Sequence, residues 1–409
     1  MSAPTRSRPA RTDRRARVAV AALFLTNGAL FANILPRYPE IKAALGMDNT
    51  VYGLAVAAFP AGAILAGPAA AALIRRFGSA RVAVGGTVLT AAAVLVAALA
   101  PAVALFALAL LVGGAVDALT DVGQNAHGLR VQRRYGRSII NSFHAVWSIG
   151  AALGGSMAAG AIALGVPLGV HLAVTGGVFS CVALVALPFC LPGHDEEQSP
   201  ADVPEDVGQA PGRRLPGISR RTALVLGALV LIAVAGTTVE DAGNSWAALY
   251  LSRSLDAPGA IAATGYIALV GAQFIGRALG DRLVDRWGQR AVARVGGVVT
   301  AGGMGLALAF PSVVGTVLGF AAAGLGVATL VPAAMYEADE LPGLRRGTGL
   351  TVVSWLMRVG FLLSPPVVGA VADATSLRVG LLAVPLAGVV VIVLSGVLHG
   401  RTGAGRAAT

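Results

Sequence analysis

The chain has 409 residues, of which 56% are hydrophobic and 12% charged, with a formal net charge of +11. So little charged surface excludes an ordinary soluble globular protein of this length. The positive balance does not indicate a nucleic-acid binder either: the charges sit in short loops and a tail beside apolar runs, where they suit anionic inner-leaflet lipid.

Six arginines, Arg6, Arg8, Arg11, Arg14, Arg15 and Arg17, lead into the first apolar run at 18–35. Eleven further runs follow at 52–74, 82–100, 102–127, 139–163, 169–191, 222–250, 259–281, 291–310, 312–336, 347–371 and 378–398. Each is long enough to cross a bilayer core as a helix. Helix is required because unpaired backbone is too costly in lipid. None alternates in and out as a barrel strand does. The first run has an arginine-rich lead like a signal peptide, but it is long for one and eleven runs follow, so a retained first helix is expected. Cys181 and Cys190 both fall in run six, which suggests no disulfide framework.

Arginine clusters fill every second gap between runs. By count, 25 basic residues lie on one side of the runs and four (Arg37, Lys42, Arg253 and Arg378) on the other, with Arg277 and Arg358 inside runs. Lys and Arg are retained in cytoplasmic loops, so both termini and the central loop are expected in the cytoplasm. The expectation is an all-α, multi-pass membrane protein. It has a basic tail (1–17), a six-helix bundle (18–191), a linker (192–221), a second six-helix bundle (222–398) and a short tail (399–409). The linker carries five prolines and a run of acids before its arginines, so it buries little and reads as flexible.

The two halves repeat at an offset of 210 residues. Arg76-Phe77-Gly78 falls on Arg286-Trp287-Gly288, Gly86 on Gly296, Gly114 on Gly324, and Gly150 on Gly360. Six is even, so the copies have the same in-out sense and are related by an axis along the membrane normal. The segment from Gly280 to Arg290 resembles the loop signature of the major facilitator superfamily, with Asp285, Arg286, Gly288 and Arg290 at the matching positions. The first-half copy keeps Arg76 and Gly78 but has Arg75 where the acid belongs. Ser142-Phe143-His144, with Trp147 and Gly150, and Asp121 with Asn125 and Gly128 resemble a bacterial inner-membrane subfamily distantly related to fucose–proton symporters. The resemblance implies two rocking bundles, a midplane site, and a cytoplasmic gate built from the loop signature. Such symporters carry an acid in the first helix; this chain has Asn27 there.

An ionisable group at mid-membrane costs about 2.5–3.5 kcal/mol, so each one is informative. Asp117 and Asp121 lie one turn apart in run four, with Gln124, Asn125 and Gly128 on the same side. Two such acids repel when both are ionised, so one can carry a proton; either could instead be a buried partner of an arginine. Arg358, halfway along run eleven, either pairs with an acid or binds an anionic solute. Glu240 and Asn244 share a face of run seven and suit a gate or hydrogen bonding to a solute, or else a polar helix end. His144 and Trp147 share a face of run five, where a packing role is equally open for the histidine. Tyr266, Gln273 and Arg277 share a face of run eight, with Arg277 near the cytoplasm. Drug antiporters carry a Gly-Pro step in run five, but Gly155 holds the proline position.

No HExxH, P-loop or catalytic triad is present, so neither an enzyme, a metal site nor a cofactor is expected. The reading is a monomeric, proton-coupled secondary transporter that moves a small polar or anionic solute. A drug or metabolite efflux antiporter and a non-transporting membrane sensor are the alternatives. The candidate lining is Asn27, Gln124, Asn125, His144, Trp147, Glu240, Asn244, Tyr266, Gln273 and Arg358.

Overall fold

A computed structural model describes residues 11–135, 139–193, 219–344 and 347–400. The described residues form twelve helical spans long and apolar enough to cross a membrane. Spans one to six are Arg11–Ala44, Asn49–Phe77, Ser79–Ala98, Val103–Tyr135, Ser142–Ala163 and Leu168–Phe189. Spans seven to twelve are Arg220–Ser254, Gly259–Trp287, Gln289–Ala309, Val313–Asp339, Thr348–Ala374 and Leu377–Val397. Large apolar side chains such as Leu65, Leu164, Val314 and Val393 point outward. That is the surface a lipid-facing helix presents.

Span one departs most from expectation. It begins at Arg11, so residues 11–17 are helix and not tail. Asp13 is buried there, its Oδ1 in an ion pair with Arg134 Nε of span four at 2.9 Å, while Arg17 lies over the Tyr135 ring. These contacts extend the helix beyond its apolar stretch. At the other end the chain does not stop at Leu35. Pro36 and Pro39 turn it through a short 3-10 segment, Leu35–Arg37, into a further helix, Tyr38–Ala44. Most of the expected linker, 194–218, and the tail 401–409 lie outside the described residues.

Other breaks also have covalent causes. Pro332 lacks the N–H that would bond the Ala328 carbonyl, and span ten divides into Val313–Val327 and Leu330–Asp339. Pro68 sits in the 3-10 turn Gly67–Ala69 of span two. Span eleven divides into Thr348–Leu356 and Arg358–Ala374. The Met357 carbonyl at that break accepts from Thr237 Oγ1 of span seven at 3.0 Å.

The 210-residue offset recurs in the packing. In the first half span one packs on five and six, span four on two and three, and three on six. In the second half seven packs on eleven and twelve, ten on eight and nine, and nine on twelve. A Cβ on Gly114 would stand 1.9 Å from the Phe59 carbonyl oxygen, and one on Gly324 2.1 Å from that of Leu269. Those are corresponding residues in the two halves. Gly78 and Gly288 cap their helices with φ of 85° and 81°, a conformation glycine adopts at no steric cost.

The bundles meet along spans two and eleven and along spans five and eight. Span two starts, and span eleven ends, on the membrane face opposite the chain termini. There Asp373 accepts from Asn49 N (3.1 Å), Asn49 Nδ2 (2.8 Å), Thr50 N (2.6 Å) and Thr50 Oγ1 (2.6 Å). Asp48 accepts from Val51 N at 2.7 Å. Two carboxylates, one from each bundle, thus satisfy the first amides of span two, as an N-cap does. Deeper in, Tyr52 Oη donates to the Ser245 carbonyl at 2.6 Å, and its ring meets Trp246 edge-on at 5.0 Å. This face is closed. Towards the terminal face Asp121, His144 and Arg358 are exposed, and no extended packing joins span four to span ten or eleven among the described residues. The protein is open on the side of its termini.

Removing the cross-bundle cap should release the closed face. With Cys181 and Cys190 replaced by Ser, a Val56→Cys reporter should be labelled from the opposite face severalfold faster in Asp373→Ala than in its parent. An unchanged rate would mean that apolar packing alone holds the closure.

Candidate functional site

A cavity of about 260 Å³ lies between the bundles. Spans one and two supply Asn27, Phe31, Tyr38 and Phe59; spans four and five supply Asp117 and Trp147. The second half supplies Glu240, Asp241, Asn244 and Ser245 of span seven, Tyr266 and Gln273 of span eight, and Arg358 of span eleven. Eight residues singled out in the sequence therefore meet at one cavity: Asn27, Asp117, Trp147, Glu240, Asn244, Tyr266, Gln273 and Arg358.

In the first half, Asn27 is the organising residue. Its Nδ2 donates to Asp117 Oδ1 at 2.7 Å, and its Oδ1 accepts from Trp147 Nε1 at 2.8 Å. Gln124 Nε2 lies 3.3 Å from both Asn27 Oδ1 and Asp121 Oδ1. Span one reaches these partners because Gly28 lets it touch span five: a Cβ there would stand 2.2 Å from the Trp147 carbonyl oxygen. Asn27 fills the place where the resemblance led one to look for an acid, and it holds an acid from span four instead.

Asp121 is one turn nearer the open face and is not part of the lining. Asn125 Nδ2 donates to its Oδ1 at 2.9 Å. Gln124, Asn125 and His144 likewise stand outside the lining, with His144 packed edge-on against Phe24 at 5.2 Å. Asp121, His144 and Arg358 face one another electrostatically across the opening. Arg358 makes no hydrogen bond or ion pair with any described residue.

In the second half, Gln273 Nε2 donates to Glu240 Oε2 at 2.9 Å, and Arg277 stands 3.7 Å from the same oxygen. Arg277 therefore belongs to the mouth of the cavity and not to a loop. Asp241, not separated from Glu240 by the sequence reading, is 6% exposed and accepts from Ser245 Oγ at 3.1 Å. Tyr38 lies beyond the apolar run that ends at Leu35; the two prolines that follow, Pro36 and Pro39, are the sequence signal for the turn that brings it to the cavity.

The loop signature divides in two. Arg290 ties the loop after span eight to the end of span twelve, donating from Nε to the Leu398 carbonyl at 3.0 Å and from its fork to Gly396 at 2.8 Å. A cation on terminal carbonyls of a helix is favourable. Asp285 is exposed and makes no bond to a described residue, and Arg286 lies over the Trp287 ring. The gate that the resemblance implies therefore has no bond from Asp285 to a described residue in this open-faced state. Arg76 lies over Phe77 in the first-half copy.

The Major Facilitator Superfamily family model matches residues 20–283. The chain belongs to this superfamily. It is 29% identical over 383 residues to an uncharacterized transporter y4wD of Sinorhizobium fredii, covering 93% of this chain and 97% of that one. It is 29% identical over 373 residues to the membrane protein MosC of Rhizobium meliloti, covering 91% and 88%. Among solved structures, the nucleoside transporter NupG superposes with a TM-score of 0.72 at 13% identity, covering 93% and 99%. A D-xylose-proton symporter gives 0.69 at 15% identity, covering 94% and 96%. These likenesses establish the fold of a multi-pass secondary transporter.

The helix break beside Arg358 should depend on Thr237. Thr237→Val removes one of two donors to the Met357 carbonyl, the other being Gly360 N at 3.0 Å, at about 0.5–1.5 kcal/mol. The melting temperature in detergent should fall by a few degrees; no fall would assign the break to local chain preference alone.

Proposed function

We propose that the protein is a proton-coupled secondary transporter that carries a small polar or anionic solute by alternating access across a bacterial inner membrane. The observation that carries this reading is Asp117 in the cavity and Asp121 at its opening, with Arg358 opposite them and unpartnered among the described residues. Asp117 and Asp121 have amide partners and no arginine bonded to them, so a proton can be taken or given without breaking an ion pair. A guanidinium without a partner at mid-depth is costly unless a solute or a carboxylate meets it. The cavity is smaller than the roughly 300–1,000 Å³ typical of sites for drug-sized ligands, which favours a small solute over bulky drugs.

The arginine bias places the open, terminal face in the cytoplasm. Access then alternates by rocking one bundle on the other. Closing the cytoplasmic side would bring span four towards span eleven, and Asp121 towards Arg358. A proton on Asp121 would weaken that approach, which is how charge on one acid can bias the direction of opening. Asp285 and Arg286 would form their latch in the same closed state.

Orientation is checked by labelling intact cells: Ser254→Cys should react from outside and Thr402→Cys only after permeabilisation. Coupling is checked in vesicles with a solute found to bind. Asp121→Asn should abolish proton-driven accumulation yet keep counterflow exchange, since exchange needs no net proton release. If Asp121→Asn and Asp117→Asn both accumulate solute normally, coupling through span four is wrong. Arg358→Lys should lose most transport, because an ammonium cannot reproduce the planar fork.

A further inference from the structure

At the closed end of the cavity three buried polar groups stand without hydrogen-bond partners. They are Tyr38 Oη of span one, Asp241 Oδ2 of span seven and Ser364 Oγ of span eleven. Their side chains are deeply buried: Tyr38 is 1% exposed and Asp241 and Ser364 are each 6% exposed. Tyr38 and Asp241 line the cavity. Ser364 Oγ stands near enough to the Asp241 carboxylate for a weak hydrogen bond, and Tyr38 near enough to feel its charge. Buried polar groups in folded proteins are nearly always satisfied, and each exception calls for a cause. Tyr38 Oη and Asp241 Oδ2, unpartnered on the wall of a solute cavity with Ser364 beside them, point to a ligand.

We propose that Tyr38, Asp241 and Ser364 form a subsite for a hydroxyl group of the transported solute, which makes the cargo a polyhydroxylated small molecule. The proposal rests on the transport reading and deepens it. The orphaned groups comprise an acceptor and two hydroxyls. A carboxylate oxygen only accepts, whereas the tyrosine and serine hydroxyls donate and accept. A solute hydroxyl can donate its hydrogen to Asp241 Oδ2 while its oxygen accepts from Tyr38 Oη–H or Ser364 Oγ–H. A carboxylate placed there would be repelled by Asp241. An ammonium could donate to Asp241 but would leave the tyrosine hydrogen without an acceptor.

The rest of the cavity suits the same class of solute. Asn244 on span seven adds an amide that both donates and accepts, and Trp147 and Tyr266 offer aromatic surface for the apolar face of a ring. The subsite also draws on both bundles: Tyr38 comes from the first half, Asp241 and Ser364 from the second. A hydroxyl held there bridges the closed seam directly beneath the bond from Tyr52 Oη to Ser245. Ser245 in turn donates to the other oxygen of Asp241. Occupancy and closure of this face therefore share one carboxylate.

The test uses the full-length protein in detergent and reads binding without any gradient, so it stands or falls separately from flux and coupling. Thermal shifts would be measured with D-xylose, uridine and sorbitol, and with L-alanine, succinate and spermidine as hydroxyl-free probes. At least one hydroxylated probe should stabilise the protein. Tyr38→Phe should weaken its binding at least tenfold, because a site built for a hydroxyl discriminates strongly when one partner is lost. The melting temperature of the empty Tyr38→Phe protein should stay within about two degrees of the parent, since that hydroxyl bonds nothing in the unliganded fold. Asp241→Asn should also weaken binding, and if it fails to fold, Tyr38→Phe decides. Stabilisation only by the hydroxyl-free probes, silence from every hydroxylated one, or undiminished binding by Tyr38→Phe would overturn the subsite.

Discussion

The state of this molecule rests on one carboxylate borrowed across a domain boundary. A helix begins with amides that have no partner of their own. Span two meets that need from two directions, with Asp48 of its own bundle and Asp373 of the other. Hydrogen bonds to a charged group contribute about 1.5–3 kcal/mol each where they are shielded, and exposure here lowers that figure. The set is therefore strong enough to favour closure and weak enough to be undone in a transport cycle. The repeat puts Ala163 and Gly259 where Asp373 and Asn49 stand, so the second seam between spans five and eight has no such bond. Closure of this face is polar along one seam and purely steric along the other.

With that face shut, the chemistry of the interior follows a gradient of exposure. Asp121, His144 and Arg358 meet solvent, Glu240 is in between, and Asp241 and Tyr38 are sealed. The acids are distributed along this gradient and not clustered, so they can have different duties although all are carboxylates. Asp121 faces a basic group across the opening, Asp117 is held by an amide, and Asp241 faces hydroxyls. Arg358 begins the second segment of a divided helix, where the Met357 carbonyl at the break accepts from both Gly360 N and Thr237 Oγ1. The break thus supports a charged residue at mid-depth without leaving backbone unpaired.

Most of the architecture was legible in the sequence because lipid imposes it. Span count, the separation into halves and the repeat depend on local apolarity and on a constant offset, and neither needs tertiary information. Eight lining residues were also legible, since a polar side chain in an apolar run has few reasons to be there. What escaped shares a different cause. Asp373 sits at the end of a run, where an acid looks like ordinary loop, and its partners are more than 320 residues away in the chain. Tyr38 lies beyond a proline that reads as a stop signal but acts as a bend. Asp241 was overshadowed by Glu240, whose four-residue spacing to Asn244 defined a face, although Asp241 has the same spacing to Ser245. Asp121, Gln124 and Asn125 stand outside the lining, because which turns of the 33-residue span four border the cavity depends on tertiary packing that the sequence pattern does not carry.

The seam between spans two and eleven has a consequence for how this protein can vary. A methyl group at Gly53 would come within 2.3 Å of the Pro365 carbonyl oxygen, and one at Gly369 would meet Asn49 as closely. The contacts at Gly62 and Gly114 are tighter still, at 1.9 Å, but lie inside a single bundle. An alanine at Gly62 or Gly114 damages the bundle in every state. An alanine at Gly53 or Gly369 is offensive in only one, and disappears as a problem once the seam parts. Selection therefore acts on these two pairs through different quantities: on the first through whether the protein exists in the membrane, on the second through which way it faces. A single carbon atom at Gly369 would leave an intact protein that has lost its sense of direction.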